Sequence, residues 1–206
     1  MTVARTLAVL LALSWACVSH AAPPPAPTYG DAFKGLYNQS AAAVPVDVPL
    51  TVQEPLAIIF SDNFELWFKS VKDTTAYWAS IVPSSLTNNV VLADTDPNFL
   101  SGRVLEMLKK RFPGSEYVKD FTHAVASGKK GAIVVDVLPK PMAPYGERTT
   151  KFDITCYFFD AGMNPVSRIS GHGERRVPFG AADGGVQVAV DAALKELDAK
   201  LSKLVR

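Results

Sequence analysis

Cysteine and histidine are scarce in this chain, at two and three in 206 residues, and the scarcity closes off several kinds of protein. Cys17 and Cys156 are too few to frame a disulfide-held scaffold, and once an N-terminal leader is removed Cys156 has no partner within the chain. No Gly-x-Ser-x-Gly elbow occurs for a nucleophilic serine. Basic residues form no extended cluster, and the net charge is +1 from 21 basic and 20 acidic residues. That balance argues against nucleic acid as a partner, and no basic patch sits where it would meet anionic lipid. No apolar stretch reaches the ~20 residues that a bilayer-spanning helix needs.

What the sequence does have begins with a leader. Residues 1–5 carry one positive charge, Arg5, and residues 6–16 form a short apolar run of signal-peptide length. Ser19-His20-Ala21 places small residues where a signal peptidase reads them, so cleavage is expected after Ala21. Cleavage removes Arg5 and no acid, which leaves 20 residues of each sign. Cys17 offers another start. A Cys behind a short apolar run, preceded by the small residue Ala16 and followed by a Pro-rich tether, is also how a bacterial lipoprotein begins. Ser14 and Trp15 depart from the usual lipobox. The expected locations are therefore a soluble periplasmic protein or a lipid-anchored one, with an uncleaved anchor as the remaining case.

Residues 22–50 are rich in Pro and Ala and read as an extended linker, closed by Val44-Pro45-Val46-Asp47-Val48-Pro49. Asn38-Gln39-Ser40 is a formal glycosylation sequon with little meaning in a bacterial context. The folded domain is expected over residues 51–206. Leu56-Ala57-Ile58-Ile59-Phe60 and Gly131–Leu138 are apolar runs of fully buried strands. Between them, Phe64, Trp67, Phe68 and Val71 have helical spacing, while Thr74 to Trp78 look strand-like before Val82-Pro83. Asp96 caps and Pro97 opens a helix carrying Leu100, Val104, Leu108 and Phe112, with Lys109, Lys110 and Arg111 in its last turn. Pro113-Gly114 stops it. A short strand at 116–119 and a short helix at 121–126 follow.

The most informative stretch is residues 151–177. Phe152, Ile154, Cys156 and Phe158 alternate with Asp153, Thr155 and Tyr157, the period of a strand with one buried face. Turn formers fill 160–165, and a second extended run follows. The result is a long hairpin whose apolar side needs a lid. From about Asp183 the stripe Val186, Val190, Ala193, Leu194, Leu197, Leu201 and Leu204 supplies one. The predicted fold is a single α+β domain: an antiparallel or mixed sheet covered on one face by two or three helices, including the C-terminal one.

Candidate chemistry is thin. His172 and Glu174 share a strand face and supply two metal donors where zinc takes three or four. Gly171 and Gly173 beside them are read as a bend or bulge. His123 stands alone on a short amphipathic segment, and Ser127-Gly128-Lys129-Lys130-Gly131 leads into a strand, the reverse of a phosphate loop. Asp136, Asp153 and Asp160 converge only if their strands are neighbours, and Trp67, Tyr77 and Trp78 read as core. No catalytic residue, metal or cofactor is assigned.

The hairpin Asp160-Ala161-Gly162 with Ile169-Ser170-Gly171-His172-Gly173, followed by the Ala-rich helix through Val188 to Leu197, resembles a group of small bacterial envelope domains. That group includes the curli-secretion lipoprotein and the Tol-system periplasmic N-terminal domain. The resemblance runs from Leu56 to the end and implies an α+β plan without catalytic residues. The expected function is an exported, non-enzymatic envelope protein that binds proteins or lipid in outer-membrane or surface-structure assembly. The alternative is a small periplasmic hydrolase or ligand-binding protein using His123, His172 and nearby acids. A third reading is an oligomerising structural subunit, since hairpin edges can pair between chains.

Overall fold

The structure, a computed structural model, describes residues 22, 24–37, 39–81, 97–140, 149–176 and 185–206. The leader with Cys17, the sequon residue Asn38, the Val82-Pro83 helix stop, the Asp96 cap and Asp183 lie outside the described residues.

Strands β1 (Leu56–Phe60), β2 (Glu116–Tyr117), β3 (Gly131–Lys140), β4 (Thr149–Phe159) and β5 (Pro165–Arg176) form one sheet in the order β2-β1-β3-β4-β5. Among the described residues four α-helices accompany it: α1 (Asp62–Ile81), α2 (Pro97–Arg111), α3 (Phe121–Ala126) and α4 (Val186–Leu204). The sheet is mixed. β1 runs parallel to both β2 and β3, while β3-β4 and β4-β5 are antiparallel. The expected α+β fold, with helices packed on a sheet, is what forms.

β4 and β5 make the predicted hairpin. Its turn is held by Asp160, whose carboxylate accepts from the Asn164 N–H at 2.9 Å while its carbonyl accepts from the Met163 N–H at 2.9 Å. Met163 takes the left-handed conformation there, at φ 58°. Phe152, Ile154, Cys156 and Phe158 all face the helices and are at most 1% exposed. Burial lifts the Cys156 thiol to about 12, so it remains a protonated, inert core group.

α4 is the lid. Ala189, Val190, Ala193, Leu197 and Leu201 are fully buried against β4 and β5, and α1 and α2 complete that layer through Phe64, Trp67, Leu100, Val104 and Leu108. The strand-like reading of Thr74 to Trp78 does not hold, because α1 continues unbroken to Ile81. Thr75 satisfies its hydroxyl within the helix by donating to the Val71 carbonyl at 2.8 Å, so a β-branched residue is tolerated there.

The glycines of β5 do something other than bend it. Gly171 and Gly173 remain in register opposite Ile154 and Phe152, and the one register shift of the β4-β5 ladder falls at Phe158/Phe159. A Cβ on Gly173 would collide with the Ala189 carbonyl oxygen, and one on Gly171 with that of Ala193. The missing side chains let the helix backbone lie directly on the strand.

Residues 22–50 are not a free linker. Ala32, Phe33, Ala41 and Val44 are at most 5% exposed, and they cover the sheet's second face over Ala57, Ile59, Ala132, Val134 and Phe159. The Phe33 ring meets Tyr157 at 4.8 Å and Phe159 at 5.3 Å in edge geometry. α3 adds Ala124 to the same layer. The physical reason is that β1 and β3 are apolar on both faces, so a second cover is required. Beyond Val44 the chain follows the β5 edge. The Arg168 N–H donates to the Pro45 carbonyl at 2.8 Å, and its carbonyl accepts from the Asp47 N–H at 2.9 Å. Leu50 and Val52 then pair with Leu204 and Arg206 at the C-terminal end.

Candidate functional site

Polar side chains on the second face form a buried hydrogen-bonded network. At its centre is Asp136, in the middle of β3 and 2% exposed. Its Oδ1 accepts from the Ser61 hydroxyl at 2.5 Å and from the Asn63 Nδ2 at 3.0 Å. Ser61 also caps α1, its hydroxyl accepting from the Phe64 N–H at 3.1 Å. The carboxyl therefore sits at the positive end of a twenty-residue helix. Burial still wins. Desolvation pushes the Asp136 carboxyl up to about 6, against hydrogen bonds from Ser61, Asn63 and the Val137 backbone, and the nearby Asp31 charge adds to the rise.

Asn63 extends the network into the N-terminal segment. Its Oδ1 accepts from the Gly30 N–H at 2.8 Å and its Nδ2 donates to the Gly30 carbonyl at 2.9 Å. One residue on, the Asp31 carboxylate accepts from the Phe33 and Ala41 N–H groups and the Ser40 hydroxyl. Burial raises the Asp31 carboxyl, but those three bonds outweigh it and leave it below the usual range. Tyr157, on the next strand, is lifted to about 12 by burial and the Asp136 charge, with Arg168 hydrogen-bonded to it and opposing.

The two candidate histidines are elsewhere and apart. His172 lies on the outward face of β5, where its Nδ1 meets the Asp153 Oδ1 at 2.8 Å with the ring 58% exposed. Glu174, on the same face as expected, pairs with Lys151 at 3.2 Å. His123 lies in α3, beside β1 and β3, and its Nδ1 meets Asp120 Oδ1, the cap of its own helix, at 2.8 Å. The strand order puts β4 and β3 between β5 and β1, so the two rings share no site. The three acids do not converge either. Asp136 faces Thr155 across the ladder, Asp153 faces His172, and Asp160 closes the hairpin turn. Among the described residues no group of three or more His, Cys, Asp or Glu is placed to hold a metal. Ser127-Gly128-Lys129 is a turn after α3, with Gly128 at φ 66° and Lys129 bonded to Glu116 at 2.5 Å.

The cavities lie away from His123, His172, Asp136 and Asp153, while Asp160 lines the first of them. One of about 320 Å³ is bounded by Leu50, Val52, Leu56, Phe159 and Val166 with Lys130 at its edge. An apolar groove of about 240 Å³ runs between Tyr29 and Pro27 on one side and Trp67 and Val71 on the other. A shallow trough of about 330 Å³ between α2 and α4 is bridged by Arg103–Asp191 and Arg111–Asp198 ion pairs at 3.1 and 2.7 Å.

Ser61, Asn63 and Asp31 have no motif to announce them. The available signal is an acid, Asp136, inside the otherwise apolar run Ile133–Leu138, which demands partners that only the folded chain identifies. Among the described residues no helix is long and apolar enough to cross a membrane.

No family model and no curated protein matches the chain. Among solved structures it is similar to the PelC dodecamer of Paraburkholderia phytofirmans, at a TM-score of 0.38 and 12% identity, over 77% of this chain and 92% of that one. It is similar also to a substituted variant of that dodecamer, at a TM-score of 0.39 and 11% identity, over 76% of this chain and 93% of that one.

Proposed function

We propose that the chain is an exported, non-enzymatic component of a bacterial cell envelope, acting by binding an envelope protein or lipid. The observation that carries this reading is the dispersal of its reactive side chains. His123, His172 and Asp136 each engage a different neighbour, and none of them lines the three cavities described above. General acid–base work needs two such groups within reach of one substrate atom. The leader, residues 1–21, supports export, and Cys17 is the position for lipid attachment if the protein is anchored.

Two measurements test the reading. Mass spectrometry of the protein from its native envelope is expected to show either a chain beginning at Ala22 or one acylated at Cys17. Metal analysis of the purified protein is expected to find no stoichiometric metal. Zinc at one equivalent, lost on His172→Ala, would overturn the non-enzymatic reading in favour of a periplasmic hydrolase. A chain retained in the cytoplasm with residues 1–21 intact would overturn the envelope assignment.

A further inference from the structure

Residues 50–53 pair with residues 204–206 along one edge only. The Leu50 N–H donates to the Leu204 carbonyl at 2.9 Å, its carbonyl accepts from the Arg206 N–H at 3.1 Å, and the Val52 N–H donates to the Arg206 carbonyl at 3.0 Å. This is the bonding of a parallel ladder, in which alternate residues turn their N–H and C=O to the opposite side. Those alternate residues are Thr51 and Gln53. Their backbone groups have no partner among the described residues, and both residues line the cavity of about 320 Å³.

The rest of that cavity is apolar with one available charge. Leu56 and Phe159 are buried, while Leu50, Val52 and Val166 are half-buried against the core. Two charged residues line it, Lys130 and Asp160. Both oxygens of the Asp160 carboxylate are engaged by Asn164, whose N–H donates at 2.9 Å and whose Nδ2 lies 3.2 Å from each oxygen. Lys130 is exposed, and its ammonium has no partner among the described residues. The unspent charge is therefore positive.

We propose that this cavity receives the C-terminal end of a partner polypeptide, laid as an added strand against Thr51 and Gln53 with its carboxylate on Lys130. An apolar last side chain fills the space over Leu56, Phe159 and Val166. Each part of such a chain end meets a group that lacks a partner: its amides meet the free strand edge, and its carboxylate meets the free ammonium. A fatty acid satisfies only part of this site, because it brings no donor for the Thr51 carbonyl. The volume lies near the roughly 300 Å³ lower end of ligand sites, which suits a chain end better than a long acyl tail. The inference rests on the reading of the chain as a binding protein and selects polypeptide over lipid.

NMR titration of the full chain with N-acetylated tetrapeptides of Ala, Thr and Val ending in Leu, Val or Phe tests this, with the amides of Thr51, Gln53 and Ala161 as reporters. Peptides with a free carboxylate are expected to shift these amides saturably. The same peptides amidated at the C-terminus are expected to bind roughly 3- to 10-fold more weakly, the range for a charge-assisted bond at an exposed lysine. Lys130→Ala is expected to weaken the carboxylate peptides to the level of the amides and to leave the amides unchanged. No shift with any peptide overturns the proposal, as does equal binding of acid and amide. Decanoate shifting the same amides at lower concentration than the peptides also overturns it and assigns the cavity to lipid. None of these failures touches the envelope reading, which a chain retained in the cytoplasm would overturn whatever the peptides do.

Discussion

Gly173 lies against the carbonyl oxygen of Ala189 so closely that even a methyl group would collide with it. Gly171 stands in the same relation to Ala193, one turn further along α4. Two glycines on alternate strand positions thus meet two alanines four apart on the helix. The β5 strand and the C-terminal helix pack backbone to backbone.

Gly173→Ala is accordingly expected to destabilise the fold by about 1–3 kcal/mol or more, since both backbones must move to admit the methyl group. Gly102→Ala is the matched control. A Cβ there meets nothing within 4 Å, and the position lies inside α2, so stabilisation by about 0.5–1 kcal/mol is expected. Chemical denaturation of the two variants gives opposite signs if the close approach is real. Equal small effects would reject it.

Leu197 lies in the same seam and is 0% exposed. Leu197→Asp buries an unpaired carboxylate where no partner is available and should abolish folding. A cooperative thermal transition near that of the unmodified protein would show that α4 does not close the hairpin.

Phe33 distinguishes a folded cover from a linker. Phe33→Ala in a linker would change stability by less than ~0.5 kcal/mol. For a ring 1% exposed between Tyr157, Phe159 and Tyr37, a loss of about 3–5 kcal/mol is expected by denaturant titration.

The pH dependence of stability has two opposed parts. Asp31, Asp120, Asp160, Glu116 and Glu196 all sit below their ordinary values, so the stability they contribute is present above about pH 4.5 and is lost as pH falls further. Asp136 is the reverse. Its carboxyl is raised from 3.8 to about 6, so its contribution is full below pH 3.8 and is lost as pH rises through 6, at a cost of up to ~3 kcal/mol. Stability should therefore peak near pH 5. Asp136→Asn should remove the decline between pH 4 and 7, as read from midpoints across that range. An unchanged decline would assign it to another group.

The β5 edge is closed by groups from two directions. Glu196 accepts from the His172 N–H at 3.1 Å and Lys200 donates to the Ser170 carbonyl at 2.8 Å, while residues 45–47 bond both backbone groups of Arg168. Replacing Glu196 and Lys200 together by Ala should leave the fold intact and increase self-association, measured by sedimentation, because free strand groups recruit other strands.

The sequence alone carried the elements whose pattern repeats at the period of their own backbone. Phe152 to Phe158 alternate at period two, the α4 stripe recurs at three and four, and Pro97 and Pro113 bracket α2, so the hairpin, its lid and the α+β class were legible without coordinates. Residues 29–44 have no such period, and their alanines and the Pro-rich stretches on either side resemble solvated chain. Their burial depends on β1 and β3 being apolar on both faces, a demand visible in the runs Leu56–Phe60 and Ile133–Val135 but silent about which segment answers it. Gly171 and Gly173 were conspicuous, yet a strand glycine is compatible equally with a bulge and with close helix approach, and only the position of α4 chooses between them. The same holds for Asp136. Its place inside an apolar strand follows from the residue order, whereas its charge is governed by Ser61, Asn63 and Asp31, which come from two other segments. Desolvation and repulsion act through space, and a linear chain does not state which of its parts will share that space.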